Sequence, residues 1–321
     1  MPGILPVKRA HEITDEDVGG TRWLIYALWG EAAVGIVGGE AKCYKSFLVL
    51  DCAVSVSSGR LCLGRFEVKQ GRVVLFAAED KLGIVKARLM GIAAARGIPL
   101  SECDIHVITV DRLRLDVKED RMSLDATIEH LKPSLLILDP FVRLHRIDEN
   151  SSSEVSGILD NLRVLQRRYN TAIMVVHHAK KNGGKTRAGQ ALRGSTEFHA
   201  WLDSMMYMRR SSKDQLTLSV EHRAAAPIPP VTVALKTEGE KIALAVCEPS
   251  EEPASTIPPP GASPSDRIIR LLTEHSAPVS MADLRAATGV RTQTFCEELK
   301  GLIDAGRVRK VNGGHYALTA Q

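Results

Sequence analysis

The sequence predicts an α/β fold: a mainly parallel sheet with helices on both faces, followed by a small C-terminal domain of three helices and a hairpin. Three observations carry this. Short apolar runs alternate with amphipathic stretches from residue 23 to about residue 202, the pattern of strands buried on both faces and joined by helices. The run EPSEEPASTIPPPGASPS at 248–265 is too rich in proline and small polar residues to form a core, and reads as a semi-rigid tether. A glycine-containing turn ending in Lys45-Ser46 joins the first buried strand to the first helix. The expected organisation is an arm at 1–22, a large domain at 23–247, the linker at 248–265 and a small domain at 266–321.

Composition narrows the class. Of 321 residues, 44% are hydrophobic and 25% charged, which excludes a wholly disordered chain. Aromatics are only 4%, so aliphatic side chains must fill the core. The net charge of +4 is too small to establish a nucleic-acid partner, so local clustering has to decide. Six cysteines (43, 52, 62, 103, 247 and 296) form no C-x-x-C pair and read as reduced, mostly buried thiols. No run of 18 apolar residues exists, and Met1 to Asp17 has no apolar signal core. The expectation is a cytoplasmic protein with no membrane partner.

Within the large domain the reading places strands at 34–37, 72–77, 105–110, 135–138 and 171–176. Helices fall between them at 46–57, 82–95, 123–131 and 153–169. After about Leu202 the pattern changes to strands at 204–208, 216–221, 231–235 and 242–246 with short turns, read as antiparallel. Trp23 and Trp29 are read as core.

The turn after the first strand runs Gly39-Glu40-Ala41-Lys42-Cys43-Tyr44-Lys45-Ser46. It follows the phosphate-loop pattern G-x-x-x-x-G-K-[ST], except that Tyr44 stands at the second glycine. Backbone N–H groups at a helix N-terminus face anionic phosphates. In that frame Lys45 reaches the β- and γ-phosphates of ATP, and the Ser46 hydroxyl ligates Mg²⁺. If the loop demands a positive φ at Tyr44, the bulky residue costs roughly 1–2 kcal/mol there.

Other apolar strands end in polar groups. Asp139 closes LLILD and is the expected magnesium-shell carboxylate. Glu79 and Asp80 follow LFAA; Glu79 is the first choice for the base that orients water, and Asp80 is read as the cap of the next helix. His177 and His178 close VV as phosphate sensors ahead of a metal site. All of these fall at the carboxyl ends of parallel strands, where open α/β sheets bind ligands.

In combination, GGEAKCYKS, LFAAED, LLILDPFVRLHRIDEN, VVHHAKK and ALRGS resemble the RecA-like P-loop ATPases, and among them the plasmid RepA-type hexameric helicases, an AAA-ATPase-like group. The resemblance spans about 34–226. It implies a homo-oligomeric ring, usually a hexamer, with ATP between subunits and single-stranded DNA in the channel. By matching motifs it makes Lys45 and Ser46 the phosphate and Mg²⁺ residues, Glu79 the catalytic glutamate, Asp139 the second-motif aspartate and His178 the γ-phosphate sensor. For its arginine finger, Arg193, Arg209, Arg210 and Arg223 all remain candidates.

The segment KKNGGKTRAGQALRGS (180–195) follows the histidines with five positive charges, no acid and four glycines. Lys180, Lys181, Lys185, Arg187 and Arg193 there suit sequence-independent phosphate contacts with DNA; the segment equally fits a solvated loop. In the small domain, helices are expected at 266–272, at 280–285 capped by Ser280 with Asp283, and at 292–305, with a turn at 288–290. Strands at 307–311 and 315–318 flank Asn312-Gly313-Gly314. This resembles a winged helix, which implies duplex DNA or a protein as partner. Arg291 to Thr294 begin its recognition helix and Arg309 and Lys310 its wing, whereas Glu297 and Glu298 would repel phosphate. Two functions fit: a DNA-dependent ring ATPase that translocates or unwinds, and a nucleotide-switched DNA-binding regulator or loader that does not.

Overall fold

The computed structural model describes residues 5–12, 22–178, 197–211, 215–247, 263–274, 278–281, 284–285, 292–311 and 314–319. It divides into two compact units, Met1–Pro249 and Ser250–Gln321.

In the first unit β1 (Trp23–Ile25) and β2 (Trp29–Gly30) form a short antiparallel pair that sequence periodicity did not reveal. Then come β3 (Val34–Gly39), α1 (Lys45–Ser58), β4 (Val73–Ala77), α2 (Leu82–Ala95), β5 (Ile105–Val107), α3 (Lys118–Leu131), β6 (Leu135–Asp139), α4 (Ser152–Tyr169) and β7 (Ala172–His178). A short α5 (Glu197–Trp201) precedes β8 (Ser204–Arg210), β9 (Leu216–His222), β10 (Val231–Glu238) and β11 (Lys241–Val246).

Nine strands make one sheet in the order β11-β10-β9-β8-β3-β7-β6-β4-β5. The apolar runs are buried on both faces because successive side chains point to opposite sides. Val73, Leu75, Leu135, Ile137, Met174 and Val176 enter the layer under α1 and α2. Their neighbours Val74, Phe76, Leu136, Leu138, Ile173 and Val175 enter the layer under α3 and α4. The strand predicted to 110 ends at Val107. The strand at 204 is not purely antiparallel: β8 pairs parallel with β3 and antiparallel with β9, so it is the seam between the two halves of the sheet. At this seam a Cβ on Gly35 would stand 1.7 Å from the Ser204 carbonyl oxygen, so only glycine fits.

Helix α1 is buried almost throughout and holds one carboxylate, Asp51, with no exposed surface. Its Oδ1 accepts the Leu63 N–H at 2.7 Å, and Arg96 from the end of α2 binds its other oxygen. Arg96 also donates to the Leu244 carbonyl on β11 at 3.2 Å. Burial pushes the Asp51 pKa up while Arg96 opposes it. Removing one member of such a pair leaves a buried charge unanswered. An Arg96→Ala variant is therefore expected to lose about 3–5 kcal/mol of stability, read from urea unfolding.

The second unit contains α6 (Pro264–Glu274), β12 (Val279–Ser280), α7 (Thr292–Asp304), β13 (Val308–Val311) and β14 (His315–Leu318). The three strands lie in the order β12-β14-β13 over a core that includes Ile268, Leu272, Phe295, Leu299 and Tyr316. Ser280 is a strand residue paired with His315, not the helix cap expected of it. Arg309 and Lys310 are exposed on β13. Asp283, the turn at 288–290, Arg291 and most of the linker lie outside the described residues, as do the side chains of Thr292 and Gln293.

Candidate active site

The first unit gathers its polar groups at one edge of the sheet because the parallel strands end in register. Gly39 pairs with His178 across β3 and β7, and Ala77 pairs with Asp139 across β4 and β6. A cleft of about 540 Å³ opens there, lined by Lys42 to Ser46 of the phosphate-loop turn, Glu79, Asp80, Asp139, His178, Arg88 and Arg210; Gly39, Glu40 and Ala41, at the start of the turn, are not among the lining residues.

The turn adopts the demanding geometry. Lys42 and Tyr44 both have left-handed backbone, φ 62° and φ 57°. Tyr44, the residue before α1, is the replacement for glycine and carries the expected strain. The residue is 38% exposed, and its ring is edge-on to Phe47 at 6.0 Å, with the Arg210 guanidinium 6.0 Å from the ring centre. Arg210 also donates to the Lys42 carbonyl at 2.9 Å, which ties the end of β8 to the loop.

Lys45 is buried, 6% exposed, and its Nζ donates to the carbonyls of Gly39 at 3.1 Å and Glu40 at 2.7 Å. Burial lowers its pKa, opposed by Cys43, Asp139, Glu40 and Glu79. The Ser46 hydroxyl lies beside the Asp139 carboxylate and favours its charged form. Burial, reinforced by Asp80 and Glu79, raises its pKa to about 6 despite Ser46 and Lys45. A carboxylate so short of positive charge, beside a hydroxyl, is an oxygen-donor pair that fits Mg²⁺. The buried ammonium and the helix N-terminus fit a polyphosphate.

Asp139 keeps its proton to about pH 6 when folded but only to about pH 4 when unfolded. The folded chain therefore holds the extra proton between these values, and stability falls as pH rises through them. An Asp139→Asn variant is expected to lose that slope, read from urea midpoints between about pH 4 and 7 in buffer free of divalent cations.

The remaining predicted residues divide. Asp80 does not cap α2, whose cap position is Lys81; its carboxylate holds Arg88, whose guanidinium lies 5.3 Å from the Phe47 ring centre. Glu79 is at the cleft but its Oε1 accepts from Arg143 Nε at 2.9 Å, in the short 3-10 turn Phe141–Arg143 after β6. His178 lines the cleft, whereas His177 points to the other face of the sheet. It is 1% exposed and packs against Phe198 at 4.7 Å and Phe141 at 5.7 Å, a core histidine rather than a sensor. Of the finger candidates, Arg209 lies over Tyr207 and Arg223 is paired with Asp203, while Arg210 belongs to this chain's own cleft. Lys180, Lys181, Lys185, Arg187 and Arg193 lie outside the described residues.

Sequence reasoning missed Arg88, Phe47 and Arg143 as parts of this edge. Only Arg143 carried a signal, four residues past Asp139 in a motif segment. The cysteines are all free, with 43, 52 and 62 buried, 103 and 247 half-buried and 296 exposed, so fewer are buried than expected. Among the described residues no cluster of His, Cys, Asp and Glu suits a metal by itself, and no helix is long and apolar enough to cross a membrane.

A family model described as "AAA domain" matches residues 19–184, just over half of the chain. No curated protein matches in sequence. Among solved structures the chain is similar to a DnaB-like replicative helicase, described with its interactions with primase. The two are 13% identical with a TM-score of 0.55, over 73% of this chain and 64% of that one. It is also similar to the RadB recombinase, 17% identical with a TM-score of 0.51, over 74% of this chain and 97% of that one. The chain thus spans less than two thirds of the helicase's length. The shared fold is RecA-like.

Proposed function

The chain belongs to the AAA domain family, and from that premise we propose that it is an ATP-hydrolysing, ring-forming motor on DNA, related to the RepA-type replicative helicases. The observation that carries the reading is the convergence of Lys45, Ser46, Glu79, Asp139 and His178, from four separate strand ends, on one cleft. In this reading the loop N–H groups and Lys45 bind the phosphates of ATP, and Ser46 and Asp139 hold Mg²⁺. The bound Mg²⁺ would neutralise charge on the phosphates. Glu79, freed from Arg143, orients water and takes its proton. His178, level with Gly39 in the sheet, senses the γ-phosphate. The basic residues Lys180, Lys181, Lys185, Arg187 and Arg193, next in the chain, contact single-stranded DNA.

The proposal extends to a hexamer in the cytoplasm and to a winged-helix second unit that engages duplex DNA through α7 and the β13–β14 wing. The three-stranded sheet and the exposed Arg309 and Lys310 support it.

Steady-state ATP hydrolysis with and without single-stranded DNA tests the motor. DNA-stimulated turnover followed by strand displacement on a forked substrate is the expected result. Nucleotide-dependent DNA binding with no displacement would replace the motor by the regulator or loader. No nucleotide binding at all would remove the ATPase reading.

A further inference from the structure

A second cavity of about 390 Å³ lies at the same sheet edge, beyond Glu79 from the phosphate loop. It is lined by Phe76, Ala78, Glu79, Asp111 and three arginines, Arg112, Arg114 and Arg143. The arginines come from different places: Arg112 and Arg114 from the segment after β5, and Arg143 from the turn after β6. Three cations in one cavity repel each other unless anions answer them. Two acids face them, Asp111 and Glu79, and Glu79 is already held by Arg143 at 2.9 Å. The Arg114 Nε is buried and has no hydrogen-bond partner among the described residues.

We propose that this cavity is an anion site for the phosphodiester backbone of single-stranded DNA, and that its occupation draws Arg143 off Glu79. The step rests on the reading of Glu79 as the group that orients water. Three features favour a backbone phosphate. Guanidinium forks match phosphate oxygens in pairs. Phe76, the only ring among the described lining residues, is 1% exposed and offers no face for a base, so contact here is blind to sequence. The cavity shares Glu79 with the nucleotide cleft but no residue of the phosphate loop, so its anion is a second one, not the phosphates of ATP.

The Arg143–Glu79 pair suits such an exchange. Both side chains are exposed, 61% and 45%, and exposed pairs are weak enough for a competing anion to break. With the cavity empty, Glu79 stays turned to Arg143. With phosphate against Arg112, Arg114 and Arg143, Glu79 is released to the cleft. Binding of DNA and readiness for hydrolysis are then one equilibrium.

The test uses the full chain, a fluorescein-labelled oligo-dT and a fluorescent ATP analogue. An Arg112→Ala/Arg114→Ala variant is expected to bind the analogue as the wild type does. Its dependence of log affinity for oligo-dT on log salt becomes shallower by about 1.4, and stimulation of hydrolysis by oligo-dT is lost. An Arg143→Gln variant hydrolyses ATP faster than the wild type without DNA and gains little from it, while Arg143→Lys restores the dependence. Arg112→Lys/Arg114→Lys, which keeps the charge, guards against misfolding. An unchanged salt slope and full stimulation in the double-alanine variant would overturn the proposal and leave the ATPase reading intact. Stimulation that follows protein concentration and not oligo-dT would also overturn it, assigning the arginines to a second copy of the chain. Absence of analogue binding in the wild type would instead sink the nucleotide reading, and this proposal with it.

Discussion

A Glu79→Gln variant is expected to bind ATP as tightly as the wild type and to hydrolyse it about 10²–10⁴-fold more slowly. Glutamine keeps the size and the hydrogen-bonding oxygen but cannot take a proton. Glu79 is placed for the role by two levels of structure. The β4–β6 register sets Ala77 level with Asp139, and the chain continues two residues further to Glu79 at the cleft mouth. Its hydrogen bond and ion pair among the described residues are to Arg143, and it acts on Lys45 and Asp139 through electrostatics, so phosphate and Mg²⁺ binding are expected to persist without it. Titration with a fluorescent nucleotide, beside single-turnover hydrolysis, checks both halves. Equal losses of binding and turnover would make Glu79 a structural residue of the cleft.

Lys45→Ala is expected to act differently, weakening nucleotide binding and lowering hydrolysis by about 10²–10³-fold together. The ammonium is buried and already answers two loop carbonyls, so the alanine variant loses a phosphate contact and a brace of the loop at once. Burial lowers its pKa, but its carboxylate and thiol neighbours oppose that shift. Lys45→Arg separates the two losses: it keeps charge without the same reach, so binding returns more than turnover. Calorimetric ATP titration with the three proteins reads this out.

Much of the sheet was legible because its strands are aliphatic runs buried on both faces. The 153–169 helix fell within a residue of α4 because a long amphipathic segment carries its own period, whereas 82–95 matched α2 by its length and its helix-favouring Leu, Ala, Lys, Arg and Met, with little apolar–polar alternation. The β1–β2 pair was not legible, because two strands of two or three residues leave no period. The parallel pairing of β8 with β3 was hidden too. It depends on a close approach at Gly35, a contact between segments about 170 residues apart.

At the site, residues of the contiguous loop and of strand ends were found by motif and position. The separation of His177 from His178 follows from strand alternation, but which of the two faces the cleft depends on what packs behind the other: Phe141 and Phe198. The Arg143 contact could not be read, since an arginine in a turn carries no record of which acid it will meet. Asp80 looked like a cap because it precedes a helix, yet a partner two turns along that helix, Arg88, outcompeted the backbone N–H groups for its carboxylate.

The place of β8 in the sheet has a mechanical consequence. Gly39 lies level with His178 on one side and Met208 on the other, and Arg210 at the end of β8 is bonded back to the loop at Lys42. The phosphate loop is therefore the yoke of two arms. A displacement of that yoke of a fraction of an ångström reaches β7, whose chain runs on into the basic segment, and β8, whose chain runs on into the antiparallel half. If the proposed motor reading holds, its stroke would be delivered through backbone hydrogen bonds of a stiff girder, with no hinge required between the phosphate loop and the strands beside it.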